Sequence, residues 1–300
     1  EKNTACSCAT EHAAHELRPG VAETAQDAGL ALIPVVIDDK EAAVRPGTTI
    51  LEAARQVGVR IPTLCHHDDL CSVGVCRICV VEVEGQRVLQ ASCVYPITEP
   101  LRIKTYTRKV RQARRHIIDM LLSEHRAECT SCVRNRNCEL QSLAKEYGVD
   151  QLRFGHTDRE PEPLDLSSFA IVRDMNKCVL CRRCVRTCEE LQGVSALGIV
   201  GRGYGTRVAA YLDKPLGDVA CINCGQCVNR CPTGALRVSD ASDAVWAAID
   251  DPEKHVVIQT APSPRAAMCE EFGMEPGTPL TWELNTGLRR CGFDKVFDTN

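Results

Sequence analysis

Fifteen of the 20 cysteines in this 300-residue chain fall into four blocks. The first holds Cys65, Cys76, Cys79 and Cys93. The second holds Cys129, Cys132 and Cys138, with His125 just upstream. The third and fourth are tandem runs, Cys178, Cys181, Cys184 and Cys188, then Cys221, Cys224, Cys227 and Cys231. The spacing C-x-x-C recurs in every block. Thiolates are soft, anionic donors, and sets of four hold iron–sulfur clusters, which carry electrons. Four such sets in line predict a wire for electrons.

Composition narrows the alternatives. Aromatics make up 4% of the residues, and small domains with few large apolar side chains usually need metals or disulfides to hold them together. Disulfide scaffolds are short, secreted and loop-rich, whereas this chain shows no secretory leader and repeats a metal spacing. No apolar run approaches the roughly 20 residues of a membrane span. The net charge of −4 offers no nucleic-acid footprint. A reducing, cytoplasmic setting is expected. The chain begins at Glu1 rather than methionine, so a trimmed front is expected, and residues 1–32 read as a polar, Ala-rich tail. Cys6, Cys8, His12 and His15 within it match no established ligand spacing.

Around the first block, Ile33–Ile37 and Ala42–Arg45 read as a hairpin turning at Asp38 and Asp39. Thr49 and Glu52 have the spacing of a capping box opening a helix that Gly58 closes. Val80–Val83 and Arg87–Ala91 read as strands joined by a turn at Glu84 and Gly85. This order resembles the β-grasp ferredoxin domain. Cys71-x4-Cys76-x2-Cys79 matches the start of the plant-type ferredoxin motif. Cys65-x10-Cys76-x2-Cys79-x13-Cys93 instead resembles the 2Fe–2S motif of complex I and multi-cluster hydrogenases, which implies Cys65 as the ligand and leaves Cys71 outside the set. His66 and His67 do not fit a Rieske arrangement and are expected in a solvated loop.

A helix over 108–122 presents Val110, Ala113, Ile117 and Leu121 on one face and Arg108, Lys109, Arg111, Arg114 and Arg115 on the other, read as solvated. Its end delivers His125. One imidazole with three thiolates suits a 4Fe–4S cluster, and also zinc. A neutral ligand in place of a thiolate makes a cluster less negative and raises its potential. The spacing resembles the His-ligated cluster of complex I and the larger hydrogenases.

The tandem runs resemble bacterial two-cluster ferredoxins, in which the fourth cysteine of each run ligates the other cluster. One site then takes Cys178, Cys181, Cys184 and Cys231, the other Cys188, Cys221, Cys224 and Cys227. Gly201, Gly203 and Gly205 mark an inserted turn, not a dinucleotide fingerprint. Arg77, Arg134, Arg136, Arg182, Arg183, Arg186 and Arg230, interleaved with the cysteines, either offset cluster charge or are ordinary surface residues.

Beyond a polar stretch, strand Val256–Thr260, helices Arg265–Phe272 and Leu280–Arg290, and strand Asp294–Asp298 read as an opening α/β unit. Cys269 and Cys291 are expected as buried helix thiols. Gln259-Thr-Ala-Pro-Ser-Pro-Arg265, Glu270-Glu-Phe-Gly273 and Gly292-Phe-Asp-Lys-Val-Phe-Asp-Thr-Asn300 resemble the start of the catalytic domain of iron-only (FeFe) hydrogenases. Ser263-Pro264 and Cys269 depart from that pattern.

The resemblance covers about residues 33–300 and is nearest to large subunits of NAD-linked, electron-bifurcating hydrogenases. It implies an α+β multidomain iron–sulfur protein. Its parts are a tail (1–32), a β-grasp 2Fe–2S domain (33–105), a His-ligated 4Fe–4S helical domain (106–165), a two-cluster ferredoxin domain (166–245) and the beginning of an α/β hydrogenase domain (250–300). It further implies a hetero-oligomer with a flavin/NAD-binding subunit and a small 2Fe–2S subunit, with ferredoxin as a further partner. Ligands for a hydrogen-activating cluster are not present, so this chain is expected to be the front of a longer subunit, with no catalytic or organic-cofactor residue of its own. A complex I-like subunit, an NAD-linked formate dehydrogenase subunit and a free-standing electron-transfer module are the alternatives.

Overall fold

A computed structural model describes residues 31–155 and 160–299; Cys6, Cys8, His12 and His15 lie outside them. Two compact units result, one through Ser239 and one from Asp240 onward.

In the first unit, β1 (Ile33–Ile37) and β2 (Lys40–Val44) form the expected hairpin. Asp38 and Asp39 turn it at φ 46° and 70°, left-handed values that Asp tolerates. The Asp38 carboxylate accepts the Thr105 N–H at 2.8 Å. Helix α1 (Ile50–Gln56) has the complete capping box: Thr49 Oγ1 accepts the Glu52 N–H and Glu52 Oε2 accepts the Thr49 N–H.

Strands β3 (Val80–Val83), β4 (Gln90–Ala91) and β5 (Leu101–Lys104) complete a sheet of order β2-β1-β5-β3-β4, with β1 and β5 parallel. The strand expected over 87–91 shrinks to two residues. Strand β5 was not foreseen, although its residues alternate buried and exposed. Val35, Ile37, Leu51, Ala54, Val81 and Ile103 form a core that also contains Cys79 and Cys93.

Helix α2 (Arg108–Glu124) runs two residues beyond expectation and ends at His125. Its basic face is not solvated throughout, which corrects the expectation. Arg114 is only 1% exposed, because β3 packs on one side of α2 and α3 (Glu139–Glu146) on another. Its guanidinium donates to the Val80 carbonyl at 2.8 Å and to the Tyr147 hydroxyl at 3.0 Å. A leucine there would leave the Val80 carbonyl without its charged donor. We expect Arg114→Leu to lower stability by about 2–3 kcal/mol, read as a shift in the denaturant midpoint; an unchanged midpoint would mean Arg114 is dispensable.

Strand β6 (Ile171–Arg173) is followed by α4 (Arg183–Arg186), which runs directly into a π-helical turn, Thr187–Leu191. Strands β7 (Leu197–Val200) and β8 (Arg207–Ala210) form an antiparallel hairpin at the glycine run. Gly201 is required there: its φ is +76° and a Cβ would lie 2.2 Å from the Gly205 carbonyl oxygen. Helix α5 (Gln226–Asn229) and β9 (Leu236–Val238) follow, and β9 pairs with β6. That pairing folds the two cysteine runs face to face, α4 against α5.

The second unit begins with a helix where only a polar stretch was expected, α6 (Ser242–Ile249). Strand β10 (Val257–Thr260), helices α7 (Pro262–Glu271) and α8 (Thr281–Arg290) and strand β11 (Lys295–Asp298) then form a parallel β-α-α-β unit. Cys269 is buried and donates its thiol to the Ala266 carbonyl. Cys291 is exposed just past α8, contrary to expectation, because the helix ends before it. Among the described residues no helix is long and apolar enough to cross a membrane.

Candidate metal centres

Cys65, Cys76, Cys79 and Cys93 are all buried. Cys79 and Cys93 Sγ atoms lie 3.3 Å apart, and Cys65 shares hydrogen bonds with Cys76 and Cys93. Hydrogen bonds from Cys76 and then Cys93 pull the Cys65 thiol down to about 2, and one from Cys93 pulls Cys79 down to about 6. Their partners Cys76 and Cys93 are pushed far up by those bonds. These shared hydrogen bonds favour loss of a proton from within the set. Cys71 is half-buried in the same loop; its N–H donates to Glu190 Oε2 at 2.8 Å and its carbonyl accepts from Arg186.

The loop of His66 and His67 is solvated at Asp68 and Asp69, with His67 half-buried, but His66 is more packed than expected. His66 contacts Ser72 Oγ at 2.9 Å and Asp68 Oδ1 at 3.1 Å, with its side chain 12% exposed. Arg183 and Arg230, which reach this loop from the tandem runs, had given no sequence signal of that packing.

His125, Cys129, Cys132 and Cys138 line one cavity. Burial lowers the His125 pKa, with a hydrogen bond to the Lys177 main chain opposing it, so the imidazole is neutral at pH 7. Its Nδ1 is buried with no hydrogen-bond partner. A ring with one nitrogen tied to main chain and the other bare is the arrangement of a metal-bound histidine. Gly234, which the sequence reading did not single out, closes this site: a Cβ there would lie 2.7 Å from Cys132 Sγ. The Glu139 N–H donates to the Pro232 carbonyl at 3.0 Å, fixing the same approach.

Two further cavities belong to the tandem runs. Cys178, Cys181 and Cys184 line one together with Cys231, and Cys188 lines the other with Cys221, Cys224 and Cys227. Each short loop is turned by left-handed residues at matching places: Leu180 and Asn223 two after the first cysteine, Arg182 and Gly225 one after the second. Those turns aim N–H groups at sulfur, from Leu180 to Cys178 at 3.4 Å and from Asn223 to Cys221 at 3.5 Å; the Ala196 N–H reaches Cys188 at 3.2 Å. Such donors favour negative charge on sulfur.

Cys65 and Cys76 share an apolar cluster with Cys181, Leu140 and Leu143, and Cys138 packs against it. Cysteines of three blocks therefore meet at one seam. Arg183 and Arg186 are each 5% exposed, so these two of the interleaved arginines are structural.

Burial pushes Cys178 up to about 11, Cys181 to about 12 and Cys227 to about 11. These thiols are protonated at pH 7 in the metal-free chain, so any metal bound by them would displace protons. Their folded pKa values exceed the ordinary value of 9.0, so the unfolded chain loses protons first as pH rises. The part of the unloaded fold's stability that these thiols contribute, fully present below pH 9, should therefore be lost as pH rises through about 11 to 12. Denaturation of the metal-free chain across that range checks the sign; a rising midpoint would contradict it.

Comparison with known proteins adds independent observations. Residues 31–108 match the 2Fe-2S iron-sulfur cluster binding domain, and 114–153 the NADH-ubiquinone oxidoreductase-G iron-sulfur binding region. Residues 169–237 match the ferredoxin-like domain of NADH-quinone oxidoreductase subunit 3, and 254–300 the C-terminal domain of the iron only hydrogenase large subunit. The chain is 41% identical over 276 residues to the NADP-reducing hydrogenase subunit HndD of Solidesulfovibrio fructosivorans, covering 90% of this chain and 47% of that protein. It is 37% identical over 205 residues to the NADH-ubiquinone oxidoreductase 75 kDa subunit of Reclinomonas americana, covering 68% of this chain and 29% of that one. The chain thus spans at most about half the length of these curated relatives. A chain of the crystal structure of an NAD+-reducing NiFe hydrogenase superposes with a TM-score of 0.65 at 34% identity, over 70% of this chain and 88% of that one.

Proposed function

The chain belongs to the family of iron–sulfur electron-transfer subunits of multimeric hydrogenases and their NADH-ubiquinone oxidoreductase relatives, and from that premise we propose that it carries one 2Fe–2S and three 4Fe–4S clusters as the relay of an FeFe hydrogenase. Cys65, Cys76, Cys79 and Cys93 would hold the 2Fe–2S cluster in a β-grasp domain. His125, Cys129, Cys132 and Cys138 would hold one 4Fe–4S cluster. The sets Cys178, Cys181, Cys184, Cys231 and Cys188, Cys221, Cys224, Cys227 would hold the other two. The observation that carries this reading is the exchange of fourth cysteines between the two cavities of the tandem runs.

When bound, such clusters supply reversible one-electron chemistry. The chain's own contribution is to bring four donors together at each site, exclude water from Cys65, Cys181 and Cys184, and set local charge. Hydrogen activation would belong to a cluster held beyond the residues present here, and the match at 254–300 favours that partner over a quinone-reducing one. A flavin- and NAD-binding subunit and a small 2Fe–2S subunit would exchange electrons with the chain in the cytoplasm, with ferredoxin as another partner.

Anaerobic reconstitution of residues 1–300 with iron and sulfide tests this reading. The expected result is about 14 iron atoms per chain, reversible reduction by dithionite and no hydrogen evolution. Iron far below that number, or zinc retained at the His125 site in preference to iron, would sink it.

A further inference from the structure

The loop joining Cys65 to Cys76 has no helix or strand, and a loop of that length keeps one geometry only when groups outside it fix its main chain. Those groups come from the helical turn that carries Cys184 and Cys188. The Arg186 guanidinium donates through Nη2 to the Cys65 carbonyl at 2.5 Å and through Nη1 to the Cys71 carbonyl. Four residues on, Glu190 Oε2 accepts the Cys71 N–H at 2.8 Å. Both main-chain polar groups of Cys71 are thus held by one oppositely charged pair, and the same arginine holds Cys65. Arg183 makes a parallel link, from its Nη2 to the His66 carbonyl at 2.9 Å, while its guanidinium is fixed by Glu139. Arginine's rigid planar fork presents two N–H groups at a fixed spacing to the two carbonyls. Glu190 and Cys188 lie in the π-helical turn, an irregularity that recurs at functional positions.

We propose that Arg186 and Glu190 are positioning residues that clamp the Cys65–Cys76 loop to the tandem-run unit, fixing the separation of the 2Fe–2S centre from its neighbour and biasing its potential. This rests on the ligand assignment proposed above. A buried positive charge beside the Cys65 main chain favours the reduced, more negative state of the centre, and the Glu190 carboxylate opposes it. The two residues therefore act on the potential with opposite signs. Their bonds to Cys71 act on distance, because that residue is the point at which the loop is tied down.

The test uses the reconstituted full chain with Arg186→Gln, Arg186→Lys and Glu190→Gln. Redox titration followed by paramagnetic resonance reads the 2Fe–2S midpoint, and the broadening of its signal when neighbouring centres are reduced reads distance. Arg186→Gln should move the midpoint to more negative values and weaken the broadening. Arg186→Lys, which keeps the charge and loses the fork, should hold the midpoint and still weaken the broadening. Glu190→Gln, which keeps an acceptor and loses the charge, should move the midpoint to more positive values. Mere structural damage would shift both charge variants the same way, and that outcome, or no shift in any of the three, overturns the proposal. Cys65→Ser separates the two readings: if it leaves the 2Fe–2S signal intact, the ligand assignment fails, whereas loss of that signal with inert clamp variants rejects the clamp alone.

Discussion

Serine at position 231 is expected to empty the site of the first tandem run, not the second. Cys231 is the last cysteine of the second run in sequence but lines the cavity of Cys178, Cys181 and Cys184. A serine hydroxyl is a hard donor with a far higher pKa than a thiol and is a poor substitute on iron. The expected loss is about four iron atoms per chain. The decisive comparison is between double variants, because changes within one site are not additive. Cys178→Ser combined with Cys231→Ser should lose no more iron than either alone. Cys178→Ser combined with Cys188→Ser should lose about twice as much, since those two cysteines line different cavities. Ligation within each run would give the opposite pattern.

The second large effect concerns His125. Its replacement by alanine leaves only three thiols lining that cavity, so the iron of that site should be lost or become labile. Replacement by cysteine should keep the iron and lower the midpoint, because a thiolate adds one negative charge where the imidazole adds none. The acid response follows from the same residue. Burial holds the imidazole pKa below its ordinary value, so proton competition for Nδ1 sets in only below the usual imidazole range. A redox titration and an acid-stability series on the wild type and both variants check this. An unchanged iron content and spectrum in His125→Ala would remove the histidine from the site.

Much of this was legible in the sequence because it is local. C-x-x-C spacings, the Thr49–Glu52 capping box, the Asp38–Asp39 turn and the helix ending at His125 depend on neighbours a few residues away. What was missed depends on distant partners. Arg114 looked solvated because nothing near it announces the Val80 carbonyl that accepts its N–H from 34 positions away. Strand β5 is too short to stand out and exists because β1 and β3 flank it. The half-buried state of His66 needs Ser72, Asp68 and the Arg183 that binds its carbonyl. The end of the helix at Arg290 was read correctly, but the exposure of Cys291 just past it depends on tertiary packing that periodicity does not show.

The seam where Cys65, Cys76 and Cys181 pack with Leu140 and Leu143 has a consequence for the life of the protein in a cell. Apolar packing that draws on three cysteine blocks couples each site to its neighbours, so filling one site should stiffen the others. A chain short of one cluster would breathe at this seam, and opened segments are where proteases cut. Iron starvation should therefore remove incompletely filled copies by turnover, leaving the surviving pool fully metallated instead of uniformly depleted.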